Sequence, residues 1–270
     1  MDITFIGGGN MASAIMGGLI SRNFDPARLR AVEIVPALRE QLAQRFGIAT
    51  YANIAELPTV GDMVVLAVKP QQMHVAVQAL VPQLERQVVL SIAAGIRIAD
   101  LTRWLGGYDR IVRCMPNTPA LIGAGITAAY ASPAVTPEQR DATDTILRAM
   151  GKVVWVEGEA RLDAVTAVSG SGPAYVFYFI EALRDAATEL GLARETANTL
   201  AMETFLGAVK LAAQDSEDVA KLRERVTSKG GTTEAALKSM AKDSVREAII
   251  RAVIAANARG RELGQELGKD

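Results

Sequence analysis

The chain has 270 residues, half of them apolar and 22% charged, with a formal net charge of −1 at pH 7. Such a composition supplies ample material for a core in one large or two smaller domains, and its charge argues against nucleic acid or an anionic membrane as the main partner. One histidine, His74, excludes a His-rich metal site, and one cysteine, Cys114, excludes an internal disulfide. The two long uncharged stretches are not membrane spans: residues 114–137 carry four prolines, and residues 164–180 are broken by Gly-Ser-Gly-Pro. MDITFIGGG has neither the cationic nor the long apolar segment of a signal peptide, so a cytoplasmic location is expected.

In chain order, residues 3–6 form an apolar run that ends in glycines and leads into a small-residue helix over 10–20. A strand over 29–34 and a proline-opened helix over 36–46 follow. Residues 63–68 read as a strand buried on both faces, 71–84 as a helix, and 88–92 as another buried strand. Residues 110–115 and 126–131 are further strand candidates. Thr136-Pro137-Glu138 opens a helix that runs to about Met150, with Gly151 as its cap, and 153–156 is the last strand. Strand and helix thus alternate up to about residue 158, the pattern of a doubly wound α/β domain. Beyond it only helices are expected, over 174–190, 195–214, 219–226, 233–242 and 244–267. Ser244 and Glu247 have capping-box spacing for the last of these. The expected division is 1–158 and 159–270.

Gly7, Gly9 and Ala12 fit G-x-G-x-x-(G/A) between a strand and a helix. Gly7 permits the tight turn, Gly9 admits a pyrophosphate, and Ala12 lets helix pack on strand, with the helix N-terminus facing phosphates. Glu33 ends the second strand, 21 residues after Ala12, where a ribose hydroxyl would be gripped. The plain alternative is a carboxylate pointing to solvent. Lys69 ends a buried strand at the edge where ligands bind, as a cofactor neighbour or a solvated cation. Asn53 lies in an earlier loop and reads equally as a turn residue. Residues 115–119, Met-Pro-Asn-Thr-Pro, either face a nicotinamide amide or form a stiff proline turn. Residues 169–175, SGSGPAY, place a new helix start near Pro173, either for a ligand or for close helix packing. Cys114 has no visible base and reads as core; His74 reads as a helix-surface residue. Residues 227–242, TSKGGTTEAALKSMAK, gather glycine amides and hydroxyls at a helix mouth, which suits a negative charge.

IGGGNMASAIMGGLI, LAVKPQ, RCMPNTPALIGAG, DAVTAVSGSGPAYVFYFIEAL and VTSKGGTTEAAL, in this order over nearly the whole chain, resemble the pyrroline-5-carboxylate reductases. The resemblance implies a Rossmann-like sheet domain followed by an all-helical dimerisation domain. It implies NADP(H) or NAD(H) as cofactor, 1-pyrroline-5-carboxylate as substrate and L-proline as product. It also implies a homodimer with an active site shared between subunits, with larger rings of dimers in the family. By the same resemblance the cofactor would meet Ile6, Gly7, Gly8, Gly9, Asn10, Met11, Asn53, Ala67, Val68, Lys69, Pro70, Ala94 and Asn117, besides Glu33. The substrate would meet Glu159, Ser171, Ser228, Gly230, Gly231, Thr232 and Thr233, with the Thr233 hydroxyl reaching the reacting ring nitrogen, and no metal is implied. Two departures stand out. Lys229 replaces the proline usual in that loop, and DSEDVAKL lacks an Glu-His-Pro-like segment, so no acidic residue is carried over from there. A 3-hydroxyacid dehydrogenase would need a lysine at Val176. A non-catalytic nucleotide-binding regulator would not need both SGSGPAY and GGTT. Residues 175–180 and the last helix carry more apolar surface than one small domain buries, so a dimer is the expected minimum. A carboxylate at Glu33 suits NADH, which is expected to serve at a rate comparable with NADPH unless Arg28, Arg30 or Arg39 folds back onto a 2′-phosphate.

Overall fold

The computed structural model describes residues 1–269. Eight strands form one sheet: β1 Ile3–Ile6, β2 Leu29–Val32, β3 Ala49–Tyr51, β4 Met63–Leu66, β5 Val88–Ser91, β6 Ile111–Met115, β7 Gly125–Ala131 and β8 Gly151–Trp155. Their order is β3-β2-β1-β4-β5-β6-β7-β8. The first six are mutually parallel; β7 runs antiparallel to β6, and β8 parallel to β7. The apolar runs ITFI, MVVL and VVLS are buried throughout, because helices cover both faces of the parallel part. Along β1 the side chains alternate: Ile3 and Phe5 enter one core, Ile6 the other. The first core is closed by Ile15, Met16 and Leu19 of α1 (Asn10–Ile20), by Leu42 and Phe46 of α2 (Pro36–Phe46), and by helix residues Ile146 and Leu147. The second is closed by Met73 and Val77 of α3 (Met73–Gln78) and by Leu101 and Trp104 of α4 (Ile98–Trp104).

Several elements differ from the sequence reading. β3 was not expected; it has three residues at the sheet edge and no apolar run to announce it. α4 was likewise not expected. The helix expected over 71–84 is interrupted. Only α3 is α-helical, between 3-10 turns at Pro70–Gln72 and Val81–Gln83, since Pro82 lacks the N–H a helix interior needs. α5 (Pro137–Arg148) is capped by Ala149, and Gly151 instead opens β8 at φ +138. A Cβ on Gly151 would lie 2.0 Å from the carbonyl oxygen of Gly125, its partner in the β7–β8 register. α6 (Arg161–Val165) continues into a single π-helical turn at Thr166–Gly170.

The chain divides into two compact units, one of Met1–Ser171 with the residues from Ala256 onward, the other Gly172–Ala255. The second holds α7 (Gly172–Glu189), α8 (Arg194–Gln214), α9 (Val219–Arg225), α10 (Thr232–Lys242) and the first part of α11 (Val245–Leu267). α7 begins at Gly172 with Pro173 in its first turn, where the missing N–H costs nothing. Ser244 stands at φ 52, not in the extended conformation a capping residue uses, and α11 starts one residue later. Among the described residues no helix is long and apolar enough to cross a membrane.

Replacing Gly151 by Ala should cost at least about 2 kcal/mol, since both its backbone conformation and the space beside it exclude a methyl group. Urea denaturation of wild type, Gly151→Ala and Gly158→Ala measures this. A Cβ on Gly158 would meet nothing within 4 Å, so that variant should match wild type.

Candidate functional site

β1 lies between β2 and β4, where the winding of the sheet reverses, and the carboxyl ends of β1, β4, β5 and β6 share one edge. That crevice is the ligand position in open α/β sheets. The Gly7-Gly8-Gly9 turn closes it from one side. Gly7 sits at φ +96, its N–H donates to the Val32 carbonyl at 2.8 Å, and a Cβ on it would lie 2.8 Å from the Ala67 carbonyl oxygen. A Cβ on Gly8 would collide with Leu42 at 2.3 Å. Gly9 differs: it caps α1 in extended backbone, and a Cβ there would meet nothing within 4 Å. Two glycines therefore pack the turn against its neighbours, while the third keeps an open approach to the start of α1. The first amides of that helix have no intrahelical acceptor, and Gly9 offers no side-chain cap. Aligned peptide dipoles add positive potential there, so the cradle fits a pyrophosphate. Ala12 is fully buried and lets α1 lie close to the sheet.

The other expected cofactor residues come to the same edge. Ile6 ends β1, with Asn10 and Met11 in the first turn of α1. Ala67, Val68, Lys69 and Pro70 follow β4; Ala94 follows β5; Asn117 follows β6. Glu33 follows β2 and is buried, not turned to solvent. Its Oε2 accepts the Gly8 N–H at 2.8 Å, and its Oε1 accepts the Val35 N–H at 2.9 Å. Asn53 behaves as a turn residue: its Oδ1 accepts the Glu56 N–H and its Nδ2 donates to Glu56 Oε1. Asn117 uses both ends of its amide, accepting from the Ile126 N–H at 3.0 Å and donating to the Ser169 carbonyl at 3.2 Å. It thereby ties the loop after β6 to β7 and to the π-helical turn.

Glu159 is held by a buried cation. Arg113 of β6 donates from Nη1 to Glu159 Oε1 at 2.9 Å, and Arg113 Nη2 lies 3.9 Å from Asp163. The same Oε1 accepts the Ile98 N–H at the start of α4, 2.8 Å away. One carboxylate thus joins β6, α4 and the start of α6, a link that no local sequence pattern signals. Cys114 is buried and its thiol is pushed far above its usual range by desolvation, as a core residue's would be. His74 is half-buried, stacked on Trp104 with ring centroids 5.1 Å apart. Among the described residues no group of three or more His, Cys, Asp or Glu side chains could hold a metal.

In the second unit the GGTT segment forms a turn and a helix start. Gly230 is at φ +75, and the Gly231 N–H closes the turn on the Ser228 carbonyl at 3.0 Å. Gly231, in extended backbone, is the capping residue, so α10 begins at Thr232 and Thr233 is its second residue. The amides of Thr232, Thr233 and Glu234 precede the first intrahelical acceptors. Glu234 was missed in the sequence. Its Oε2 accepts the Gly230 N–H at 2.7 Å, and its Oε1 pairs with Lys238 at 3.1 Å. The Gly230 amide, then Lys238, hold its carboxyl below the usual carboxylate range. The Gly230 amide is thus already used, leaving the amides and hydroxyls of Thr232 and Thr233 for a ligand anion. An acidic residue in the first turn after Gly-Gly was the available signal. Ser171 belongs to the first unit, where its N–H donates to the Thr166 carbonyl at 2.8 Å.

Residues 159–263 match the family described as pyrroline-5-carboxylate reductase dimerisation, and residues 2–95 match that described as NADP oxidoreductase, coenzyme F420-dependent. The pyrroline-5-carboxylate reductase of Pseudomonas aeruginosa is 47% identical over 238 residues, 88% of this chain and 87% of its own. That of Arabidopsis thaliana is 37% identical over 246 residues, 90% of this chain and 88% of its own. Among solved structures, a pyrroline-5-carboxylate reductase from Coxiella burnetii superposes with a TM-score of 0.92 at 41% identity, covering 97% of this chain and 98% of that one. The Plasmodium falciparum pyrroline carboxylate reductase, solved with NADP bound, gives 0.87 at 29% identity, covering 98% of each.

Glu159→Gln keeps the shape but leaves the Arg113 charge buried without its nearest counter-charge. It should lower stability by about 1–3 kcal/mol, read as an earlier urea midpoint, and Arg113→Met in the same background should recover part of the loss.

Proposed function

This chain belongs to the pyrroline-5-carboxylate reductase family, and on that premise we propose that it reduces 1-pyrroline-5-carboxylate to L-proline with NAD(P)H, the last step of proline biosynthesis. The observation that carries the reading is the glycine cradle at the end of β1, tight at Gly7 and Gly8 and open at Gly9. Gly9 and the first amides of α1 would hold the pyrophosphate, Glu33 the ribose, and Ala67, Val68, Lys69, Pro70, Ala94 and Asn117 the remaining edge. Asn53 has its side chain in use within its own turn and would contribute through its backbone. When bound, the reduced nicotinamide supplies the hydride that the C=N carbon accepts.

The protein's own work is binding and alignment. The substrate carboxylate would sit on the amides of Thr232 and Thr233 at the positive end of α10, within the segment formed by Ser228, Gly230, Gly231, Thr232 and Thr233. The Thr233 hydroxyl would accept a hydrogen bond from the ring nitrogen, favouring the protonated iminium that takes hydride more readily. His74, the only histidine, is stacked on Trp104 in α4, and the proton would reach that nitrogen from solvent or through a hydroxyl–water relay. Ser171 and Glu159 complete the proposed substrate set, Glu159 through the oxygen its ion pair leaves free.

The working form is a homo-oligomer. Residues 159–263 match a dimerisation family, and α7 to α10 bury only Ala197 and Ala201 while Phe177, Tyr178, Leu206 and Val209 stay exposed. A second copy would cover such a surface, and dimers could in turn assemble into rings.

The purified protein should oxidise NAD(P)H when given pyrroline-5-carboxylate and not when given 3-oxoacids, followed by absorbance; no loss of absorbance would refute the reading. Thr233→Ala should lower kcat/KM by roughly 10- to 1000-fold, the scale of one lost transition-state contact. Because Gly231 is the cap of α10, its melting temperature should barely move. Unchanged turnover would remove Thr233 from the mechanism.

A further inference from the structure

We propose that Glu234 is a positioning residue for the substrate: its hydrogen bond to Gly230 fixes the turn that presents the amides of Thr232 and Thr233 to the substrate carboxylate. The inference rests on the reductase reading and adds to it a residue that acts without touching substrate or cofactor. Its basis is how little else restrains the turn. Gly230 stands at φ +75, and a Cβ on it would meet nothing within 4 Å, so no packing holds it in place. Glycine has the widest choice of backbone conformations and loses the most freedom when it is fixed. The fixing is left to hydrogen bonds. The Gly231 N–H closes the turn on the Ser228 carbonyl at 3.0 Å, and the Gly230 N–H donates to Glu234 Oε2 at 2.7 Å. The first of these stays within the turn. The second ties the turn to the helix that follows it.

The position of Glu234 explains why it reaches Gly230. It is the third residue of α10, where a glutamate commonly turns back to the amide of the capping residue. Here that amide belongs to Gly231 and is already given to Ser228, so the carboxylate takes the amide one residue earlier. Its other oxygen pairs with Lys238 one helical turn along, at 3.1 Å, and the positive end of α10 favours its charge. Gly231 in turn lies tight on Ser228: a Cβ there would come within 2.8 Å of the Ser228 Oγ. A turn released at Gly230 therefore disturbs the Ser228 hydroxyl together with the cap of α10. The substrate carboxylate keeps its charge throughout the reduction, so its anchor serves ground state and transition state alike. Loosening that anchor raises KM and leaves kcat. The charge of Glu234 acts in the opposite sense, since it repels a second carboxylate. The hydrogen bond and the charge are thus separable by experiment.

The test is steady-state kinetics of the purified enzyme with pyrroline-5-carboxylate and NADPH, for wild type, Glu234→Ala, Glu234→Asp and Glu234→Gln, with thermal melting as the check of folding. Glu234→Ala should raise KM for pyrroline-5-carboxylate at least about tenfold, or ~1.4 kcal/mol, with kcat and KM for NADPH within about twofold of wild type. Glu234→Asp keeps the charge but is one methylene short, and it should raise the same KM, which decides the matter if the alanine variant fails to fold. Glu234→Gln keeps an acceptor for the Gly230 N–H and loses the charge, so its KM should equal or fall below that of wild type. An unchanged or lowered KM in folded Glu234→Ala or Glu234→Asp overturns the proposal, as does a Glu234→Gln as impaired as the alanine variant. So does a rise of both KM values together. Wild type that does not turn over pyrroline-5-carboxylate would refute the reductase reading itself, whereas an active wild type with a KM indifferent to Glu234 refutes only the role assigned here.

Discussion

The contact between Gly7 and the carbonyl of Ala67 governs the first unit. A Cβ on Gly7 would come within 2.8 Å of that oxygen, and the residue's φ of +96 is one that side chains avoid. Only glycine lets the chain turn this sharply between β1 and α1 while the end of β4 stays alongside. With the turn in place, the N-terminus of α1 stands at the carboxyl edge of the sheet. Leu42 packs against Gly8, and the Gly8 amide becomes available to Glu33. Both cores meet at β1, so the same strand that closes the hydrophobic interior also aims the turn. Positioning and stability thus share one cause.

The second unit follows another logic. Its helices have almost no interior of their own, because the side chains that would form one lie on their surfaces. Burial of apolar area at roughly 25 cal/mol per Å² is the main driving force available to such helices, and here most of it awaits a second copy. The GGTT turn rests on short-range bonds instead: Gly231 to Ser228, Gly230 to Glu234, and Glu234 to Lys238. Lys229, exposed in the turn, takes part in none of them.

How far the fold could be read beforehand depends on how local each cause is. Continuous apolar runs marked β1, β4 and β5 because their surroundings are uniformly apolar. β3 escaped, since an edge strand of one exposed and two half-buried residues carries no such mark. Gly151 was read as a helix cap because a glycine after a helix usually is one, yet its role is set by Gly125, 26 positions earlier. Ser244 and Glu247 had the spacing of a capping box without the backbone conformation. Within the candidate site, the glycine turn and Glu33 were visible as a pattern. The Arg113–Glu159–Ile98 link and the two-ended use of Asn117 span long sequence separations and leave no local trace. Glu234 lies four residues from its partner and could have been found.

The central claim is that the open side of the glycine turn is where a dinucleotide pyrophosphate lies, and Gly9 tests it most directly. Its backbone is one any residue can adopt, and a Cβ there touches nothing within 4 Å, so Gly9→Val should fold, losing at most the roughly 1 kcal/mol of a poorer cap on α1. The valine side chain would nevertheless fill the approach to the first amides of α1. Calorimetric titration with NADH and NADPH should show both affinities reduced at least about a hundredfold, or ~2.7 kcal/mol. A normally folded Gly9→Val that binds both as wild type does would contradict the account.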